Sequence, residues 1–102
     1  MAAAFKAETT YLRSWASSYF SEVSWDAEAE DTMRTEGIPF VLVRQVFLAG
    51  RVVTSEKDDA YGAEWEVVGT TCDGERLRLA LTVYCNEYRV RIRRIRVLRS
   101  DR

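Results

Sequence analysis

The chain has 102 residues, 47% hydrophobic and 12% aromatic, with no histidine and two cysteines. That is material for one domain with one core, and it excludes a disordered linker-joined pair, zinc and nearly all transition-metal sites, and any Ser-His-Asp or Cys-His arrangement. The net charge of −1 is unevenly spread, with 6 basic against 14 acidic side chains in residues 1–75, and nine arginines against Glu87 and Asp101 in residues 76–102.

Residues 2 to about 22 carry Phe5, Leu12, Trp15, Ala16, Tyr19 and Val23 at three- and four-residue steps, the spacing of an amphipathic helix. Ser24 fits the N-cap of a second helix over Trp25–Glu36, whose first turns hold Asp26, Glu28, Glu30 and Asp31, where acids suit the helix dipole. Gly37 fits the left-handed position that ends it, and Pro39 the first position of a third helix running to Ala49. With only Arg44 and Gln45 polar, the third is the core helix.

Strands follow at Arg51–Glu56 and Glu64–Thr71, with a charged loop, Lys57–Ala63, between them. The last part, Arg76–Leu98, reads as two strands joined by a two-residue turn at Asn86-Glu87. Leu77, Leu79, Leu81, Val83 and Cys85 alternate with polar residues, as do Val90 and Ile92. The pattern skips one position at Arg93-Arg94 before Ile95 and Val97, which is how a β-bulge reads in sequence. That register sets Val83 opposite Val90, Leu81 opposite Ile92, Leu79 opposite Ile95 and Leu77 opposite Val97. It also sets Arg78 opposite Arg96, an unfavourable pairing unless an anion or an acidic partner intervenes.

The turn at Asp73-Gly74 decides which residues share a face with the arginines. A two-residue loop would set Trp65 and Val67 among them, a surface suited to stacking bases. A three-residue loop, Cys72-Asp73-Gly74 with Gly74 left-handed, turns Trp65 and Val67 inward and places Glu64 and Glu66 among Arg78, Arg91 and Arg93. Burial of a tryptophan and a valine contributes a few kcal/mol and favours the second register.

The expected fold is α+β: three N-terminal helices packed on a four-stranded antiparallel β-meander. The segments are 1–23 (first helix), 24–50 (helical pair) and 51–98 (sheet). The longest apolar run, Phe40–Val43, is far too short to span a bilayer, and the N-terminus lacks the features of a signal peptide. A cytoplasmic protein with two free thiols, no metal, no cofactor and no membrane contact is expected.

The string T-M-R-T-E-G-I-P-F-V-L-V-R-Q-V-F-L-A-G-R-V-V, ending at Val53, resembles a stretch common to small domains of the RelE/MqsR-like toxin superfamily. The later G-T-T-C-D-G-E-R-L-R-L-A-L-T-V continues the likeness over roughly residues 28–85. The resemblance implies a single RelE-like domain over residues 1–102 and, as an expectation, an mRNA endoribonuclease (mRNA interferase) of a toxin–antitoxin system, with RNA and a cognate antitoxin as partners. The family often has a histidine and an arginine where Glu28 and Thr32 stand here.

Cleaving RNA through its 2′-hydroxyl needs a base, cations around the phosphate and a donor to the leaving oxygen. Without histidine the base falls to a carboxylate, a lysine or a tyrosine of shifted pKa. The residues to test for catalysis are Lys57, Tyr84 and Arg78, with Tyr61 and Tyr88 nearby, and Arg51, Arg76, Arg91, Arg94 and Arg96 are candidates to hold RNA phosphates. The alternative is a non-catalytic protein-binding module on the same fold, such as an immunity protein, a mobile-element inhibitor of a host defence complex or an assembly subunit. Asp26, Glu28, Glu30 and Asp31 would then present negative charge to a basic partner.

Overall fold

Period-two alternation over Arg76–Leu98 builds the centre of the sheet. In a computed structural model that describes residues 5–58 and 62–99, and only the backbone at 57 and 58, this stretch forms two antiparallel strands. In chain order the elements are α1 (Lys6–Tyr19), a 3-10 turn (Phe20–Glu22), β1 (Ser24–Trp25), α2 (Ala27–Glu36) and α3 (Phe40–Ala49). Then come β2 (Arg51–Asp58), β3 (Gly62–Thr70), β4 (Arg76–Tyr84), a second 3-10 turn (Cys85–Glu87) and β5 (Arg89–Leu98).

The β4–β5 register is the expected one, with Val83 opposite Val90, Leu81 opposite Ile92, Leu79 opposite Ile95, Leu77 opposite Val97 and Arg78 opposite Arg96. Arg93 is the extra residue of the bulge, since Ala80 pairs with Arg94 and Leu81 with Ile92. The Cys72–Gly74 loop also has the three-residue register: Val67 lies opposite Leu79 and Thr70 opposite Arg76, and Gly74 is left-handed at φ 87. Trp65 and Val67 are accordingly buried.

Helices and sheet then share one core. Leu77, Leu79, Leu81 and Val83 of β4, Val90 and Ile92 of β5 and Val67 of β3 meet Leu12, Trp15, Val43, Val46 and Phe47. Burying a side chain of this size contributes about 1.5–3 kcal/mol relative to leaving it in water. Gly37 ends α2 in the left-handed conformation, φ 70, as its position in the sequence indicates.

Five expectations need correction, the first being the loop at Lys57–Ala63: β2 runs on through Lys57 and Asp58, and β3 already begins at Gly62. Among the described residues the sheet has five strands in the order β1-β5-β4-β3-β2, and it is mixed, because β1 runs parallel to β5 with Ser24 opposite Arg91 and Trp25 opposite Ile92. Ser24 is therefore a strand residue; Asp26 takes the N-cap position of α2, and its backbone N–H donates to the Ile92 carbonyl at 2.9 Å. Cys85 is exposed rather than inward, because the connection between β4 and β5 is a 3-10 turn followed by Tyr88 in the left-handed region, φ 54. Pro39 sits one residue before α3, at its N-cap.

Candidate functional site

The polar face of the sheet gathers the arginines, but much of their charge is met within the fold. Arg78 donates through Nε to Glu66 Oε1 at 2.7 Å, with a second contact from the same guanidinium. Arg93 reaches Glu64 Oε1 at 2.5 Å, and Glu64 Oε2 accepts from the Thr82 hydroxyl at 3.2 Å. Arg91 departs from expectation: its Nε donates to Asp26 Oδ1 at 2.5 Å, a partner brought alongside by the β1–β5 pairing. That hydrogen bond and the Asp26 charge raise the Arg91 pKa above its ordinary value. Exposed pairs of this kind contribute little stability, about 0–1 kcal/mol each, but they occupy the groups that a phosphate would need.

The like charges of Arg78 and Arg96 lie opposite each other as expected, and Glu66 meets Arg78 directly. Arg94 and Arg96 have no ion pair among the described residues and are exposed.

The three residues named for catalysis do not come together as a site. Tyr84 stands six residues along β4 from Arg78, about 20 Å at the rise of an extended strand. Its ring lies beside Gly62 and under the Arg89 guanidinium, 5.2 Å from the ring centre. The backbone sets Lys57 opposite Ala63 and Ala63 opposite Val83, at the Tyr84 end of the sheet. The Lys57 side chain and the whole of Tyr61 lie outside the described residues.

A general base needs a pKa drawn toward neutrality, and the shifted tyrosine and cysteine of this fold move the other way. Tyr11 packs edge-on against Trp65, 5.9 Å between ring centres, and its hydroxyl is buried without a hydrogen-bond partner among the described residues. Burial pushes its pKa up to about 12, and the neighbouring Cys85 and Tyr88 add to the shift. The Cys85 residue is exposed as a whole, but partial desolvation of its thiol, with the Glu8 charge adding, raises the thiol's pKa above its ordinary value. Because the folded state holds the Tyr11 proton more tightly, the stability tied to that proton is complete below pH ~10 and is lost as pH rises towards ~12. In a spectrophotometric phenol titration, a late-titrating tyrosine should vanish in Tyr11→Phe, and the variant should lose less stability across that interval. A late titration persisting in Tyr11→Phe would refute the assignment.

Two concavities were not foreseen. One is a groove of about 610 Å³ where the first 3-10 turn, β1, α2 and the start of α3 meet. Phe20, Val23, Trp25, Met33 and Ile38 form its buried and half-buried wall, while Phe40, Glu30 and Arg34 stand exposed around it. Phe40 is 62% exposed and Val41 beside it 46%, large values for apolar side chains on a helix otherwise committed to the core. Of the acids on these elements, Glu30 lines the groove, is exposed and makes no ion pair among the described residues; Glu22 and Glu28 are also exposed and unpaired there but do not line it, whereas Asp26 pairs with Arg91 and Asp31 with Arg34.

The second concavity, about 340 Å³, lies at the other end of β4 and brings Arg51 and Arg76 together with Arg13 of α1. The sequence offered a signal for the groove: four successive apolar residues, Phe40–Val43, cannot all face one side of a helix that turns 100° per residue. Arg13 carried none. No family model matches the chain, and neither a curated protein nor a solved structure does.

Proposed function

We propose that the chain is a non-catalytic protein-binding module whose groove takes an amphipathic segment of a partner, with a large apolar side chain flanked by lysine or arginine. The observation that carries this reading is the exposure of Phe40 at the rim of an apolar groove whose lining includes Glu30, a carboxylate with no ion pair among the described residues. Exposed apolar area of this kind marks an interaction surface, and the Glu30 carboxylate selects a basic partner by charge complementarity. An antitoxin, a host defence complex or a larger assembly would each supply such a segment.

The endoribonuclease reading asks for a base, a phosphate clamp and a donor within reach of one another. Arg78 engaged by Glu66, and Tyr84 about 20 Å away along the strand, favour the binding module instead.

Selection from a displayed library of random 12-residue peptides against the whole protein tests this. Enriched peptides are expected to carry one aromatic or leucine with flanking lysine or arginine. Their affinity should fall at least tenfold in Phe40→Ser and again in Glu30→Lys, and it should weaken with added salt. Because Phe40 is exposed, its loss should leave the melting temperature nearly unchanged. Peptides with no charge preference, or binding indifferent to Phe40→Ser, would overturn the proposal.

A further inference from the structure

We propose that the cleft at the α1–β2–β4 corner binds a phosphate group carried by a small molecule. Its cationic wall comes from three separate elements: Arg13 from α1, Arg51 from the first position of β2 and Arg76 from the first position of β4. Their convergence follows from the fold. The Val52 N–H donates to the Thr9 hydroxyl at 2.9 Å, which lays α1 along β2, and Arg13, one turn further on, reaches the Gly50 carbonyl at 3.3 Å. Arg76 arrives from the other side, opposite Thr70 across the β3–β4 ladder.

What sets this corner apart is that three arginines without an ion pair among the described residues line one cleft; Arg44, Arg94 and Arg96 also have none but stand outside it. Six other arginines, at 34, 78, 89, 91, 93 and 99, each find a carboxylate. Arg13, Arg51 and Arg76 make no ion pair among the described residues, and no acidic side chain lines their cleft. Arginines that line one cleft with no acid beside them leave their charge uncompensated, and a tetrahedral anion would relieve this by accepting forked hydrogen bonds from guanidinium groups.

The remaining walls suit a compact ligand. Gly50 and Gly69 contribute backbone alone, and the Thr70 side chain adds a hydroxyl donor. The negative end of α3 also terminates here and would oppose an anion, but Arg13 donates to the carbonyl of Gly50, the residue that caps the helix, and offsets it. A volume of about 340 Å³ falls at the lower end of small-molecule sites, roughly 300–1,000 Å³, which fits a phosphate with an attached sugar better than a polymer track.

The test is a two-dimensional amide NMR titration of the full chain with inorganic phosphate, ribose 5-phosphate and adenosine 5′-monophosphate, against sodium chloride at equal ionic strength. Saturable shifts are expected at Gly50, Gly69 and Thr70, with the sugar phosphates binding at least as tightly as phosphate. Arg51→Gln and Arg76→Gln should each weaken binding at least tenfold, whereas Arg89→Gln, at the opposite end of the sheet, should leave it unchanged. Shifts that do not saturate, that survive both substitutions, or that centre on Arg94 and Arg96 would overturn the proposal. So would a short RNA that binds more than tenfold tighter than the monophosphate. The cleft shares no lining residue with the groove, so peptide binding retained in Arg76→Gln keeps the two proposals separable.

Discussion

Gly50→Ala should destabilise the protein by about 3 kcal/mol, at the upper end of overpacking costs. A Cβ at this position would lie 2.5 Å from the Val68 carbonyl oxygen and 2.6 Å from that of Val46. Both atoms are backbone: one belongs to β3 and the other to the last turn of α3, so no side-chain rotation relieves the collision. The φ of −82° is open to any residue, and the requirement is for space alone. Val46 O is also the acceptor for the Gly50 N–H at 2.8 Å, so moving it away breaks the contact that ends the helix. For a domain of this size, about 3 kcal/mol corresponds to a fall of roughly 12–24 °C in melting temperature. Gly37→Ala is the control. Its Cβ would meet nothing within 4 Å, and its cost is the left-handed backbone at φ 70, about 1–2 kcal/mol. Thermal or urea denaturation compares the two, and equal losses would refute the argument. A partly folded Gly50→Ala should also lose phosphate binding, because Arg51 follows directly on the displaced residue.

Much of the sheet is legible in the sequence because its information is local. Each side chain of Arg76–Leu98 either faces the core or does not, so the doubled Arg93-Arg94 marks the bulge without reference to other strands. The inward turn of Trp65 and Val67 follows from the same argument, since the alternative register would leave both in water. β1 is different. Two residues carry no periodicity, and a parallel pairing depends on a strand 67 positions away, so Ser24 read as a helix cap. That missed strand explains two further surprises, because it brings Asp26 to Arg91 and helps to form the groove under Phe40. The phosphate cleft was half legible. Arg51 and Arg76 stand at strand ends, where cations are free to gather, but Arg13 looks like any exposed helix residue until α1 is laid along β2.

Trp15→Ala should cost about 3–5 kcal/mol, a large share of the roughly 5–15 kcal/mol that holds a small domain folded. Trp15 is 2% exposed and packs its ring against Phe47 and Phe20, with centres 5.8 and 6.3 Å away. Its indole N–H donates to the Tyr88 carbonyl at 2.7 Å. Tyr88 is one of two non-glycine residues at positive φ among the described residues, and its ring stacks on Tyr19 at 5.6 Å. One side chain thus fills the core between α1 and α3 and also ties α1 to the turn between β4 and β5. Trp15→Phe separates the two roles. It keeps most of the apolar volume but leaves the Tyr88 carbonyl without its donor, which should cost about 1–3 kcal/mol. In that variant, amide hydrogen exchange should quicken first in the Cys85–Tyr88 turn, while the centre of β4 stays protected. In Trp15→Ala the loss should spread to Phe20, which also lines the groove, and peptide affinity should fall with it. A Trp15→Phe protein as stable as the parent, with unchanged exchange in the turn, would show that packing alone fixes α1 and that the indole bond contributes nothing.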